Sequence, residues 1–214
     1  MVFYVENENC LKVRITKPQS RKNLRQLATQ IRAKLGIDSK QLYVDILFCL
    51  EILIPKIDSS FQYKIFDPGE FEKPNEAFFS PENNCIFIRS DVYNKARDED
   101  GRARFTIAHE IAHYFLFKIL GIPYYEDWEN IMYYSDAKLH SVDPEWQADV
   151  VGNYLLCEPD CIKDYSEEDI VFYCGVTNSA AYTALQNAKG HKYVDYSAIF
   201  MNKSFSDVIK EYSQ

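Results

Sequence analysis

The sequence is short of positive charge, histidine, paired cysteines and long apolar runs, and each shortage excludes something. Lys and Arg number 24 against 32 Asp and Glu, giving a net charge of −8. A chain this acidic is poorly suited to binding nucleic acid or an anionic membrane over its whole surface. The most apolar run, Ile46 to Pro55, contains Glu51 and is far too short to span a bilayer. The first residues, Met1 to Glu6, have neither a basic n-region nor a long apolar h-region, so no signal peptide is expected. The six cysteines (Cys10, Cys49, Cys85, Cys157, Cys161 and Cys174) include no Cys-x-x-Cys pair. Cys157 and Cys161 could be a ligand pair on a helix, but Pro159 between them argues against one. All six read as free, mostly buried thiols, which points to the cytoplasm. There is no internal repeat and no low-complexity stretch.

What is present is ordinary in bulk. The 214 residues allow one domain, or one domain with a small helical subdomain. A chain of this size buries roughly 70% of its unfolded surface, enough for a core without staples. Tyr (16) and Phe (14) are abundant, which suggests aromatic packing or a groove that holds a partner.

Although the chain has only four histidines, two of them fall in Arg104-Phe105-Thr106-Ile107-Ala108-His109-Glu110-Ile111-Ala112-His113-Tyr114-Phe115-Leu116. On a helix, positions i and i+4 lie one above the other, so His109 and His113 can present two imidazoles to one ion. Glu110 lies about 100° around the same helix and can reach a water on that ion. The flanks are almost all apolar, so the helix is expected to be buried. A buried helix carrying two His and a Glu is costly unless something compensates, and a metal ion does. The bland alternative is a core helix with satisfied histidines. Two neutral nitrogen ligands, an open position and a general base together form the metallopeptidase motif, with zinc as the expected ion.

A catalytic zinc wants three protein ligands. Besides His109 and His113, the candidates are His140, His191 and Glu145. Pro144-Glu145-Trp146-Gln147-Ala148-Asp149 opens a helix capped by Asp143, with Pro144 at its first position. Glu145 and Asp149 then share a face. Glu145 is the favoured third ligand, and Asp149 is placed to orient a ligand imidazole. The competing reading is a solvated acidic helix start, which the helix dipole also favours. An oxyanion donor is needed as well; His140 or a tyrosine of residues 122–142 is the candidate.

Period and punctuation organise the rest. Val2 to Val5 and Leu11 to Ile15 suggest a hairpin about Asn7-Glu8-Asn9. Ser20 caps a helix through Leu24, Leu27, Ala28, Ile31 and Leu35, stopped by Gly36. Asp38 or Ser39 is expected to cap a second helix that Pro55 ends. Phe61 to Phe66 alternates, and residues 76–88 read as a hairpin about Pro81-Glu82-Asn83-Asn84. These predict an antiparallel sheet of about three strands. Asp91 caps a short helix that Gly101 breaks. Residues 122–142 read as a loop walling the site, with Tyr124, Tyr125, Trp128, Tyr133 and Tyr134 suited either to an interface or to covering the core. Helices follow at 144–156, stopped by Pro159; at 167–174, capped by Ser166; and at 180–189, capped by Thr177 or Asn178 and ended by Gly190. An amphipathic set, Phe205, Val208, Ile209 and Tyr212, closes the chain.

The stretch Arg104 to Leu116 resembles the signature of the ImmA/IrrE family of metallopeptidases. Glu145-x-x-Ala148-Asp149 followed by Leu155-Leu156 and Pro159, and Val176-Thr177-x-x-Ala180 with Leu185, resemble its other motifs. The resemblance covers about residues 20–190, while residues 1–16 match nothing in the family. It implies an α+β, zincin-like fold with the motif helix buried against a helical bundle. The division is then 1–19 as an N-terminal extension, 20–160 as the metallopeptidase core and 161–214 as a C-terminal helical part. It further implies a cytoplasmic bacterial or phage endopeptidase that cuts helix-turn-helix repressors or antitoxins. Two rivals stand beside it. One is a catalytically silent, metal-containing partner of a repressor or toxin. The other is a DNA-binding regulator using helices 166–190, disfavoured because the 167–174 helix is acidic and Lys189 is the lone cation of the next.

Overall fold

A computed structural model describes residues 5–7, 10–70, 76–127 and 140–189. It is an α+β structure whose centre is the motif helix. Its labelled helices are α1 (Arg21–Lys34), α2 (Ile46–Phe48), α3 (Ile54–Ile57), α4 (Ser90–Arg97) and α5 (Gly101–Leu120), then α6 (Pro144–Leu156), α7 (Pro159–Ile162), α8 (Glu167–Cys174) and α9 (Asn178–Ala188). The strands are β1 (Val5–Asn7), β2 (Cys10–Ile15), β3 (Gln62–Phe66), β4 (Ala77–Ser80), β5 (Cys85–Arg89) and β6 (Tyr124–Asp127). One buried apolar cluster takes in residues from Leu24 to Leu185. Among the described residues no helix is long and apolar enough to cross a membrane.

Helix α5 is apolar nearly all round, and Ile107, Ala108, Ile111, Ala112, Phe115 and Leu116 are buried. Its most extensive helix partner is α6, which in turn packs on α1. The expected break at Gly101 falls earlier. Glu99 turns the chain at φ 62°, Asp100 caps α5 by accepting from Ala103 N, and Gly101 is the first helical residue. A Cβ there would lie 2.8 Å from the Val176 carbonyl carbon, so this glycine permits a close approach rather than ending a helix. Asp91 is likewise not the cap of α4. Arg89 holds that position without a side-chain bond, and Asp91 sits in the first turn, paired with Arg89.

The helix expected from Asp38 begins only at Ile46, with Asp45 as cap. The preceding carbonyls are taken elsewhere: buried Arg32 of α1 donates to Gln41 O at 2.6 Å and to Asp38 O. Pro55 does not end the run either. A π-turn at Cys49–Leu53 joins α2 to α3, with Ile54 N–H bonded to Cys49 O. This wider turn loosens the backbone just ahead of a proline that would crowd a regular helix.

The predicted antiparallel sheet is mixed. Its order is β3-β5-β4, with β3 parallel to β5 and β4 antiparallel to it. The hairpin about 81–84 forms as expected, but the link from β3 to β4 carries the chain past β5, leaving β4 at the edge. Phe79 of β4 packs on Tyr114 and Phe117 of α5, with ring centroids 5.8 and 5.6 Å apart, fixing the sheet to the motif helix. A second sheet, β1-β2-β6, is antiparallel. The N-terminal hairpin is thus present, and the 122–142 stretch contributes a strand at its start, where Tyr124 pairs with Ile15 and Tyr125 with Arg14. Period alone could not show that pairing, because its partner is more than a hundred residues away. Residues 128–139 of the expected loop lie outside the described residues. So do His191, the Gly190 stop and the amphipathic set at 205–212.

Helix α6 ends at Leu156, and Pro159 opens α7 rather than stopping α6. The Ser166–Asp169 capping box, Gly175 in the left-handed region and the Thr177 cap frame α8 and α9 as read from sequence. Cys49, Cys85, Cys157, Cys161 and Cys174 are free, and all but Cys161 are buried.

Candidate metal centre

Two crossing helices build the site. Asp143 caps α6 by accepting from Glu145 N at 2.9 Å, and Pro144 occupies the first turn. Glu145 and Asp149 then face α5 one turn apart. Gly152, one turn further on, sets how near the helices come: a Cβ there would stand 3.3 Å from Ala108 C and His109 N. Any larger side chain would push α6, and with it Glu145, away from the histidines.

His109 Nε2 and His113 Nε2 lie 2.9 Å apart. Glu145 Oε2 is 3.4 Å from each. These three residues, all half-buried, could hold a metal ion, their ligand atoms lying within 4.8 Å of one another. Donors about 2.0–2.1 Å from a zinc ion sit about 3.4 Å apart along tetrahedral edges. Two sides of the triangle have that length, and the third is somewhat shorter. Asp149 Oδ1 lies 2.8 Å from His109 Nδ1. That bond holds the proton on Nδ1 in neutral imidazole and turns the Nε2 lone pair toward Glu145 and His113. The residues therefore fit a metal in both spacing and donor type.

Without an ion, the neighbouring carboxylates hold on His109 a proton that a metal would have to displace. Burial works to lower the His109 pKa, but the Asp149 and Glu145 carboxylates outweigh it and push the group up to about 10. Burial works to raise the Glu145 pKa, yet His109 and His113 hold it well below the usual carboxylate range. A carboxylate kept ionised beside two imidazoles is a ready cation site.

Glu110 is buried and lines a cavity of about 250 Å³ with His113, Glu145, Arg14, Phe78, Phe79 and Phe117. It has no hydrogen-bond or ion-pair partner among the described residues. A second cavity, of about 710 Å³, lies on the Asp149 side and is lined by Phe105, Trp146, Asn153 and the first turns of α9. Glu145 lines both, so the two sides of the cleft share that residue. His140 lines the larger cavity, its ring 6.2 Å from that of Trp146. It is not among the residues lining the cavity that holds Glu110.

The structure thus brings together His109, His113, Glu145 and Asp149, with Glu110 alongside, and leaves His140 on the other side of the cleft. Sequence reasoning missed Gly152, whose role depends on the α5–α6 crossing. It also missed Arg14, which reaches the site from β2. No protein-family model and no curated protein matches the sequence.

Proposed function

We propose that the chain is a zinc-dependent endopeptidase of the ImmA/IrrE kind that cuts a regulatory protein, such as a helix-turn-helix repressor or an antitoxin, at one exposed segment. The observation that carries this reading is the convergence of His109, His113 and Glu145 beside a buried Glu110 that makes no hydrogen bond or ion pair among the described residues. Zinc held by those three residues would lower the pKa of water and polarise the scissile carbonyl. Glu110 takes the proton as water attacks and delivers it to the leaving amine. Asp149 holds His109 in the required tautomer.

The substrate class draws on two further features. β4 is an edge strand of its sheet, and Ala77, Phe78 and Phe79 border the cavity holding Glu110. An extended segment can add to that edge and pass the triad. The chain's net charge of −8 suits a basic, DNA-binding partner. It does not suit DNA itself, and the first turn of α8 is acidic at Glu167, Glu168 and Asp169. Cytoplasmic action follows from the same reading.

The test is incubation of the zinc-loaded chain, with and without chelator, with the repressor or antitoxin encoded beside it, read by mass spectrometry, with casein as the control. The reading requires chelator-sensitive cleavage at one site and little action on casein. Rapid multi-site digestion of casein with no preference for the regulator would leave only the hydrolytic chemistry. No cleavage of either protein by the zinc-loaded chain favours the silent binding partner.

A further inference from the structure

Peptide hydrolysis builds negative charge on the carbonyl oxygen, and a competent site aims a donor at it. His140 lines the far cavity, but another donor stands beside Glu110. We propose that Arg14 is a catalytic residue, its guanidinium donating to the oxyanion; this rests on the peptidase reading above.

The first support is location. Arg14 lines the 250 Å³ cavity with Glu110, His113 and Glu145, and it is the one Lys or Arg among the described residues that does so. The second is unused capacity. Its sole partner among the described residues is Glu145 Oε1, 4.0 Å from a single guanidinium nitrogen. A guanidinium carries five N–H donors, and a committed Arg–carboxylate pair is closer and two-pronged. Arg14 also approaches Oε1, whereas the histidines face Oε2, so it does not compete for the ligand oxygen.

The third support is rigidity. Ile15 beside it is buried. Thr16 N donates to Val142 O at 2.8 Å, Gln19 N to Ser141 O at 2.8 Å, and the Gln147 amide to Lys17 O at 2.9 Å. On its other side Arg14 is paired in register with Tyr125 of β6. The end of β2 is therefore stitched to the start of α6, the same turn that carries Glu145. A long cation on a fixed strand is pre-organised, which is what transition-state stabilisation requires. The fourth is charge. Glu110, Glu145 and Asp149 bring three carboxylates to the cleft. A developing oxyanion beside them needs a permanent cation, which a guanidinium supplies.

In the step, the water oxygen bonds to the carbonyl carbon while its proton passes to Glu110. The carbonyl π electrons move to oxygen, where an Arg14 N–H meets them. Collapse then breaks the C–N bond, and the amine leaves with the proton from Glu110. Substrate plus water gives one acid and one amine.

The experiment uses the zinc-loaded full chain, R14Q and R14K. Two probes are titrated into each: a phenylalanine-containing dipeptide phosphonamidate, a tetrahedral anion that mimics the oxyanion, and the matching hydroxamate, which does not. Zinc retention against a chromophoric chelator is measured in parallel. The expected result is a loss of about tenfold or more in phosphonamidate affinity for R14Q, partly restored in R14K. Hydroxamate affinity and zinc retention should stay within about twofold, because the ion pair to Glu145 is long and one-pronged. Parallel loss of both probes and of zinc would mean that Arg14 only balances Glu145, and would overturn the proposal. Equal phosphonamidate affinity in the wild type and R14Q would overturn it too. If the wild type holds zinc yet binds neither probe, the peptidase reading itself fails, a result distinct from either R14Q outcome.

Discussion

Arg104 and His109 stand little more than one turn apart on α5, in the same apolar surroundings, and they are finished in opposite ways. Arg104 is 1% exposed. It donates to Gly175 O at 2.9 Å, to Val44 O at 2.9 Å, to Cys174 O and to the Tyr43 hydroxyl, whose ring lies 4.2 Å beneath the guanidinium. Its hydrogen-bonding capacity is spent on the backbone of other elements. His109 and His113 instead point ring nitrogens at each other and at Glu145 across a gap. Glu110 beside them has no hydrogen-bond or ion-pair partner among the described residues. A buried polar group that is saturated holds a fold together, and one left unsaturated is kept for something that comes and goes. Asp58 repeats the saturated pattern at the other end of α5: it accepts from Ser60, Asn84 and Tyr114 and pairs with Lys118 at 2.9 Å.

The contrast breaks if substitutions in the two groups have the same consequences. The largest separation is expected for Glu110→Gln. Gln keeps the shape without the basicity, so cleavage of the partner protein should fall by about 10³-fold while bound metal and thermal midpoint hold. A normal cleavage rate would remove Glu110 as the base. Next comes Arg104→Leu. It removes the donor from three carbonyls, those of Val44 and Cys174 buried, and should cost about 3 kcal/mol in denaturant unfolding, with the metal affinity of the remaining folded protein unchanged. Smaller again is Asp149→Asn, which removes the charge that orients His109. Metal affinity should drop by about 10–100-fold by competition with a chelator.

The smallest effect is a pH dependence. The Ser60 hydroxyl and Lys118, with Asn84 and Tyr114, hold Asp58 well below the usual carboxylate range. A depressed folded pKa contributes stability that is fully present above the unfolded value of about 3.9 and is lost as pH falls through the folded one. Asp58→Asn should therefore flatten the acid limb of the stability profile below about pH 4, without touching metal content. An unchanged acid limb would mean that the Asp58 cluster is not coupled to folding.

What the sequence makes legible depends on what carries the information. Helical spacing converts directly into geometry, so the pattern of residues alone pairs His109 with His113 and Glu145 with Asp149. That the two pairs meet depends on Gly152, whose lack of a side chain has meaning only once α6 lies on Ala108. The strands can be located but not ordered, because the parallel pairing of β3 with β5 is a long-range choice that local alternation does not record. The late start of α2 is hidden for a similar reason: Arg32, on a different helix, claims the carbonyls of residues 38 and 41. Arg14 is the least legible residue of the site. Nothing around it resembles a motif, and its position follows from three hydrogen bonds tying β2 to the start of α6.

The central claim is that His109, His113 and Glu145 hold a divalent ion. Metal analysis of the purified chain beside the His109→Ala, His113→Ala double variant tests it most directly. The expected result is about one zinc or other divalent ion per wild-type chain and none in the double variant. Full metal stoichiometry in the double variant would contradict the claim.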